Sequence, residues 1–187
     1  MDSERIRDSA HGEMYHCALP TSSQTPPKEG TATTRVTIFC DGACSPNPGT
    51  GGWGAVLISE HHRARKEISG AEARATNNRM ELTAAIKALQ SLKRPCIVDV
   101  FTDSQYVRNA FARGWLARWQ RNGWKTATRA AVLNEDLWRC LIQLDTVHDI
   151  HWHWIRGHAS NPENCRADEL AVAARQELAR RSGQRQR

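Results

Sequence analysis

The stretch RVTIFCDGAC, residues 35–44, decides the fold of this 187-residue chain. Val36, Ile38 and Cys40 occupy every second position, which is the period of a β-strand with one buried face. The apolar run ends at Asp41, so a carboxylate stands at the C-terminal end of the predicted strand. Because ligands of α/β sheets bind at such strand ends, this is the first place to look for a site.

Working outward, the apolar spacing predicts four more strands and several helices. A helix from Asn77 to Leu92 follows from apolar residues at i, i+3, i+4 and i+7. Two further helices are predicted after residues 104 and 134, and a last helix carries apolar residues from 167 to 178. Thr76, Ser104 and Asn134 are the predicted N-caps of the first three helices. The other strands are predicted at 53–59, 65–69, 97–103 and 150–154. This order predicts an α/β domain with a mixed sheet.

Composition excludes several classes of protein. The chain is 40% hydrophobic and 25% charged, and no apolar run approaches the ~18 residues that span a bilayer. The first thirty residues are acid-containing and lack an apolar stretch, which argues against a signal or transit peptide. We therefore expect a cytoplasmic protein with no membrane attachment. The net charge of +6 favours an anionic partner.

The chain divides into three predicted regions. Residues 1–34 end in a stretch rich in Ser, Thr, Pro and Gly and are expected to be disordered. Residues 35–178 hold all the predicted strands and helices and form one domain. Residues 179–187 are expected to be a basic, flexible tail.

Four carboxylates occupy positions that suit a metal site. Asp41 and Asp103 each end a predicted strand, where two unpaired carboxylates repel each other and a divalent cation relieves the repulsion. Glu81 lies one turn into a helix, beside its apolar face, and Asp168 begins the last helix. All-oxygen ligands favour Mg²⁺ or Mn²⁺ over Zn²⁺. Taken singly, each acid also suits a structural role: a solvated strand end, a surface glutamate, or a charge at a positive helix end.

Four segments together resemble the motifs of type 1 ribonuclease H. They are DGACSPNPG at 41–49, TNNRMEL at 76–82, TDSQYV at 102–107 and GHASNPENCRADELA at 157–171. The resemblance runs from about residue 35 to 175. The spacing W-x-x-x-W-x-x-x-x-W at 115–124 is similar to the basic protrusion of the bacterial members. The resemblance implies a five-stranded mixed sheet with its first three strands antiparallel, flanked by helices and bearing a basic helical protrusion.

The resemblance also implies an activity and a set of site residues. The activity is endonucleolytic hydrolysis of the RNA strand of RNA–DNA hybrids, leaving 5′-phosphate and 3′-hydroxyl ends. Two Mg²⁺ ions, with Mn²⁺ as a substitute, suit this chemistry by activating water and stabilising the leaving oxygen. The residues implied in catalysis are Asp41, Glu81, Asp103, His158 and Asp168, and the four carboxylates among them are the implied metal ligands. We assign Asp41 as the ligand that bridges the ions, and His158, in a Gly-flanked loop, to proton transfer or product release.

Recognition of the hybrid is assigned to two further groups. The resemblance gives hybrid contacts to Asn77 and Gln105, beside the metal site, where amides can read a 2′-hydroxyl, and phosphate or strand contacts to Asn47 and Thr76. Residues 104–134 contain six basic residues and no acid, the pattern of a phosphate-binding surface. From this surface we expect Trp119, Trp124 and Lys125 to touch the DNA strand. The i, i+4 spacing of Trp115 and Trp119 leaves core packing open for one or both.

Other interpretations are weaker. Gly49, Gly51 and Gly54 match a dinucleotide fingerprint in letters, but a strand rather than a helix follows them. His151 and His153, considered with His158 and Cys165 as zinc ligands, are expected on one strand face away from the 158 loop. A non-catalytic hybrid-binding module is the main alternative function, and DNA strand transfer is another. With no additional domain in a chain of this size, we expect a monomer.

Overall fold

The computed structural model describes residues 34–156 and 161–184. Residues 1–33 of the segment expected to be disordered therefore lie outside the described residues. His158 does as well, so the structure does not address its predicted role. Within the described part, no helix is long and apolar enough to cross a membrane.

The described chain forms five strands and five helices. Their bounds are β1 Arg35–Cys44, β2 Gly49–Ser59, β3 Ala64–Ala75, α1 Asn77–Gln90, β4 Ile97–Thr102, α2 Gln105–Ala112, α3 Trp115–Arg121, α4 Glu135–Val147, β5 Asp149–Trp154 and α5 Pro162–Gln184. The strands form one sheet in the order β3-β2-β1-β4-β5. β1 and β3 pair antiparallel with β2, whereas β4 pairs parallel with β1 and β5. The predicted mixed sheet with three antiparallel strands is confirmed.

Successive residues of β1 pack on opposite faces of the sheet, as a period of two requires. Ile38 and Cys40 join a core that includes Leu82 and Ile86 of α1. Phe39 belongs to a second cluster, which includes Ala167 of α5. The central strand is therefore covered by a helix on each side, and its C-terminal end lies between them.

The glycines of β2 allow α5 to lie directly on the sheet. A Cβ atom at Gly52 would stand 2.1 Å from the carbonyl oxygen of Ala171, and one at Gly54 would stand 2.3 Å from that of Ala167. No side chain fits in that space. Gly52 and Gly54 therefore serve close helix–strand packing. Gly49, Gly51 and Gly54 all lie in strand β2, and no helix follows them directly, as expected against the dinucleotide-binding interpretation.

Two of the three predicted N-caps are confirmed. The Thr76 hydroxyl accepts the Arg79 N–H at 3.2 Å, and the Ser104 hydroxyl accepts the Val107 N–H at 3.1 Å. Asn134 has a left-handed backbone with φ of 58° and makes no side-chain cap hydrogen bond. The turn that leads into α4 needs this conformation, which asparagine tolerates better than most residues.

The last helix is longer than expected. α5 continues to Gln184, so residues 179–184 are helical and the predicted flexible tail is wrong for them. Glu177 accepts from Arg180 at 2.6 Å and from Arg181 at 2.7 Å, and ion pairs at this spacing stabilise an exposed helical turn.

Candidate active site

The four predicted carboxylates meet at one pocket. Asp41 lies on β1, Glu81 on α1, Asp103 directly after β4, and Asp168 on α5, and all four line a cavity of about 350 Å³. The remaining lining residues are Gly42, Ala43, Cys44, Ser45, Asn77 and Arg175. Two strands and two helices therefore bring the acidic groups together.

Strand register and a close helix contact explain why these acids are neighbours. Phe39 of β1 pairs with Phe101 of the parallel strand β4, so Asp41 and Asp103, each two residues further, lie side by side where β4 ends, while β1 continues to Cys44. Next to Asp41, a Cβ at Gly42 would stand 2.3 Å from the backbone nitrogen of Glu81. The bare backbone at Gly42 lets the first turns of α1 approach the end of β1.

The pKa of Asp41 lies well above the ordinary value of an aspartate. Burial is the main cause that raises its pKa, and the negative charges of Asp103, Asp168 and Glu81 raise it further. The Gly42 N–H donates to its carboxylate at 2.7 Å and lowers the pKa. The resulting pKa is about 8. Without a cation, this carboxyl group therefore keeps its proton to a higher pH than an ordinary aspartate does.

Glu81 is oriented by two hydrogen bonds. The Ser104 hydroxyl donates to one carboxylate oxygen, and the Asn77 amide donates to the other at 2.9 Å. Burial, chiefly, raises the pKa of Glu81, the Ser104 hydrogen bond lowers it, the charge of Asp103 raises it, and the Asn77 hydrogen bond lowers it. Because Ser104 also caps α2, the start of that helix and the Glu81 carboxylate are fixed together.

The residues predicted to contact substrate beside the metal site form a polar rim. The Asn47 side chain accepts the Asn77 N–H at 3.2 Å, which joins the β1–β2 loop to the start of α1. Thr76 caps the same helix, and Gln105 is exposed as the first residue of α2. Asn77 also lines the pocket.

Trp154 is a site neighbour that the sequence interpretation treated only as a strand residue. Its indole N–H donates to the backbone carbonyl of Asp103 at 3.1 Å, and the guanidinium of Arg108 lies 4.6 Å from its ring centroid. The side chain is 40% exposed. An apolar strand alternation does not distinguish such a residue from a core tryptophan, so the strand pattern alone gave no signal of its position.

In the basic segment, residues 104–134, the burial of one tryptophan differs from the prediction. Trp124 is only 6% exposed and belongs to the main core, and the Arg139 guanidinium lies 4.6 Å from its ring centroid. The predicted contact of Trp124 with DNA is therefore wrong, because its side chain faces inward. Lys125 is exposed. Trp119 is half-buried and lies 5.8 Å from Trp138, measured between ring centroids, so part of it packs on the core.

The zinc interpretation has no support among the described residues, which do not include His158. Among residues 34–156 and 161–184, no three His, Cys, Asp or Glu side chains enclose a single metal ion. His151 lies beside Asp149 at 3.4 Å, and His153 contacts Asp99 at 2.8 Å. Cys165 is exposed and free.

The donor chemistry of the pocket does fit hard cations. Four carboxylates line this one cavity, contributed by β1, α1, α5 and the residue after β4. All are oxygen donors, and the pKa of Asp41 is raised partly by its acidic neighbours. A divalent cation would offset that repulsion.

Comparison with known proteins decides the family. The RNase H family profile matches residues 33–176. This chain belongs to the ribonuclease H family. Ribonuclease H of Moorella thermoacetica is 59% identical over 139 residues, which cover 74% of this chain and 90% of that protein. Ribonuclease H of a Chelativorans species is 54% identical over 149 residues, which cover 80% of this chain and 90% of that protein.

Solved structures agree with the ribonuclease H assignment. LC9-RNase H1, described as a type 1 RNase H with the type 2 active-site motif, has a TM-score of 0.69 and 29% identity, covering 78% of this chain and 74% of that chain. The N-terminal RNase H domain of a Mycobacterium tuberculosis protein has a TM-score of 0.60 and 27% identity, covering 80% of this chain and 99% of that chain. The resemblance to type 1 ribonuclease H is confirmed. The chain is a hydrolase of a family that cleaves RNA in RNA–DNA hybrids.

Proposed function

We propose that this ribonuclease H cleaves the RNA strand of a hybrid endonucleolytically at the carboxylate pocket, leaving 5′-phosphate and 3′-hydroxyl ends. The observation that carries the proposal is the meeting of Asp41, Glu81, Asp103 and Asp168 around one cavity. A solved relative with 24% identity and a TM-score of 0.57, LC11-RNase H1, was crystallised with an RNA/DNA hybrid, covering 77% of this chain and 99% of that chain. At that identity it supports the shared fold alone.

The four carboxylates would hold two Mg²⁺ ions, with Mn²⁺ as a substitute. When bound, such ions supply an activated water and stabilise the charge that develops on the leaving oxygen. We retain Asp41 as the ligand that the two ions would share. The charges of all three other acids act on it, and a cation would offset their repulsion.

The chain's own residues prepare this site before substrate arrives. Ser104 and Asn77 fix both oxygens of Glu81, and Trp154 holds the backbone of Asp103. Such preorganised groups need little rearrangement as charge develops in the reaction. We retain His158, which lies outside the described residues, as the proton carrier or product-release residue.

The polar rim would distinguish RNA from DNA through the 2′-hydroxyl. Asn77 keeps its amide oxygen and a second N–H for this purpose, since one N–H already binds Glu81. Gln105 is our second 2′-hydroxyl contact, and Asn47 and Thr76 are the proposed contacts with the strand.

The DNA strand would lie along the basic surface of α2, α3 and the loop that follows. Lys125 and the exposed part of Trp119 remain the proposed contacts, and the buried Trp124 supports them from beneath. Contacts of this kind bind any sequence and weaken as salt rises. A monomer suffices for this site, because all four carboxylates come from one chain.

The test is a substrate panel. Labelled RNA–DNA hybrid, double-stranded RNA and double-stranded DNA are incubated with protein in Mg²⁺ or in EDTA, and the product ends are examined by sensitivity to phosphatase and ligase. We expect cleavage of hybrid RNA alone, abolished by EDTA. Tight hybrid binding without cleavage in either Mg²⁺ or Mn²⁺ would favour the non-catalytic binding module instead.

A further inference from the structure

One basic side chain lines the acidic pocket. Arg175 lies on the wall formed by α5, and among the described residues that line the cavity it is the one that carries a positive charge. The proposed substrate is a polyanion, which the four carboxylates repel. A guanidinium at the pocket wall is well placed to attract a phosphate that the carboxylates would otherwise disfavour.

Helix geometry places Arg175 two turns beyond Asp168, on the same face of α5. Arg175 follows Asp168 by seven residues in α5, which is close to two full turns, so both side chains lie on the same face of the helix. Their Cα atoms are therefore separated by about 10 Å along the helix axis. Arg175 faces the same groove as Asp168 at the next position along it.

The stem of Arg175 is held in place. A Cβ at Gly52 would stand 2.7 Å from the Arg175 backbone nitrogen and 2.9 Å from its Cβ, so the helix rests on β2 at this point. The Arg175 Nη1 donates to the Ser45 carbonyl at 3.5 Å, which directs the guanidinium to the loop that carries Asn47. The fixed backbone and Cβ restrict where the guanidinium can reach, which lowers the entropy cost when it binds a ligand.

The charge of Arg175 is not neutralised by a neighbouring acid. Within residues 34–156 and 161–184, no carboxylate oxygen lies within 4.0 Å of Arg175, whereas Arg180 and Arg181 both pair with Glu177. One carbonyl contact leaves most of the five guanidinium N–H groups available. Two of them match the spacing of phosphate oxygens.

We propose that Arg175 binds a phosphate of the RNA strand adjacent to the one being cleaved. This inference rests on the proposed function, because the RNA phosphate that lies at the carboxylates fixes which strand passes Arg175. Arg175 then acts as a substrate-positioning residue, which draws the RNA backbone across the acidic pocket.

Arg181 supplies a matched control on the same helix. R175A, R175K and R181A are compared with the wild-type chain for hybrid cleavage over a series of salt concentrations. We expect R175A to raise KM about tenfold with kcat within about twofold, and to lower the slope of log KM against log salt by about one. R175K should keep the slope and recover part of KM, and R181A should match the wild type.

Two results would overturn the assignment. One is an R175A variant that matches R181A in KM and salt slope, and the other is one that loses kcat with KM unchanged. Hybrid binding measured by fluorescence anisotropy in Ca²⁺ separates this inference from the proposed function. If the wild type fails to cleave hybrid, the proposed function fails. The contact of Arg175 with phosphate is still supported if R175A binds hybrid more weakly, and with less salt dependence, than R181A does. Equal binding by the two variants overturns it.

Discussion

The acidic pocket and the basic segment differ in how their side chains are fixed. In the pocket, the register of the sheet determines position, because Asp41 and Asp103 each follow a paired residue of two parallel strands. In the segment from α2 to α4, Trp119 and Trp124 lie among arginines, yet the core takes up Trp124. The backbone pairing of strands determines where the two aspartates lie. The position of an aromatic side chain in the basic segment is determined instead by how distant segments pack together.

The largest effect should come from breaking the pocket. We expect D103N to lower hybrid cleavage by roughly 10³-fold or more, because it removes a charge where the reacting groups meet. D99N is the matched control on β4, four residues before Asp103. Asp99 pairs with Arg35 and His153 outside the pocket, so cleavage by D99N should stay within about threefold of the wild type. Equal losses in both variants, measured as initial rates with labelled hybrid, would contradict the special role of Asp103.

The second largest effect tests whether Trp124 of the basic segment is a core residue and Lys125 a surface contact. W124A should lower the free energy of unfolding by about 3–5 kcal/mol, because it empties a buried site. K125A should change it by less than about 0.5 kcal/mol but weaken hybrid binding and reduce its salt dependence. Urea denaturation and anisotropy measure the two effects. If W124A keeps full stability and loses hybrid affinity, Trp124 is a surface contact after all.

A third prediction follows from the charge on Asp41. Its folded pKa of about 8 lies above the unfolded value near 3.9, so between these values the folded state holds a proton that the unfolded state has lost. The metal-free wild type therefore loses stability as pH rises through this window. D41N lacks that loss, so its stability relative to the wild type should rise steadily from about pH 4 to about pH 8 in EDTA. A difference that stays constant with pH would contradict the shifted pKa.

The smallest expected effect concerns Ser104. S104A removes both the cap of α2 and a hydrogen bond to Glu81, so we expect stability to fall by about 1 kcal/mol. The pKa of Glu81 should rise, because that hydrogen bond lowers it. S104T keeps the hydroxyl and should restore both properties. Thermal unfolding and the pH dependence of cleavage test this pair, and an S104T variant as impaired as S104A would show that shape, not the hydroxyl, matters.

The sequence was sufficient for the features that depend on period and element ends. Alternation located the strands, and i, i+3, i+4 spacing located α1, while two caps followed from residue type at helix starts. It could not locate features set by contacts between distant segments. The Asn134 side chain makes no capping hydrogen bond, and its backbone is left-handed. The helix α5 continues beyond residue 178, where Glu177 forms ion pairs with residues of the next turn.

The candidate site shows the same division. The four acids could be grouped in advance from their approximate places on the predicted strands and helices. The structure corrects two of these places, because β1 continues past Asp41 to Cys44 and Asp168 is the seventh residue of α5. The pairing of Asn77 with Glu81 and of Trp154 with the Asp103 backbone could not be predicted, since each depends on how α1 and β5 settle against their neighbours. Arg175 had one usable signal, its seven-residue spacing from Asp168, which places both on one helix face.

Direct titration of Mg²⁺ into the metal-free protein tests the central claim, that the carboxylate pocket is a divalent-cation site. Calorimetry should show binding by the wild type, with protons released below about pH 8 as Asp41 gives up its proton. E81Q and D103N should bind at least about tenfold more weakly, and D99N should bind like the wild type. Binding that is unchanged in E81Q and D103N, or that releases no protons, would contradict it.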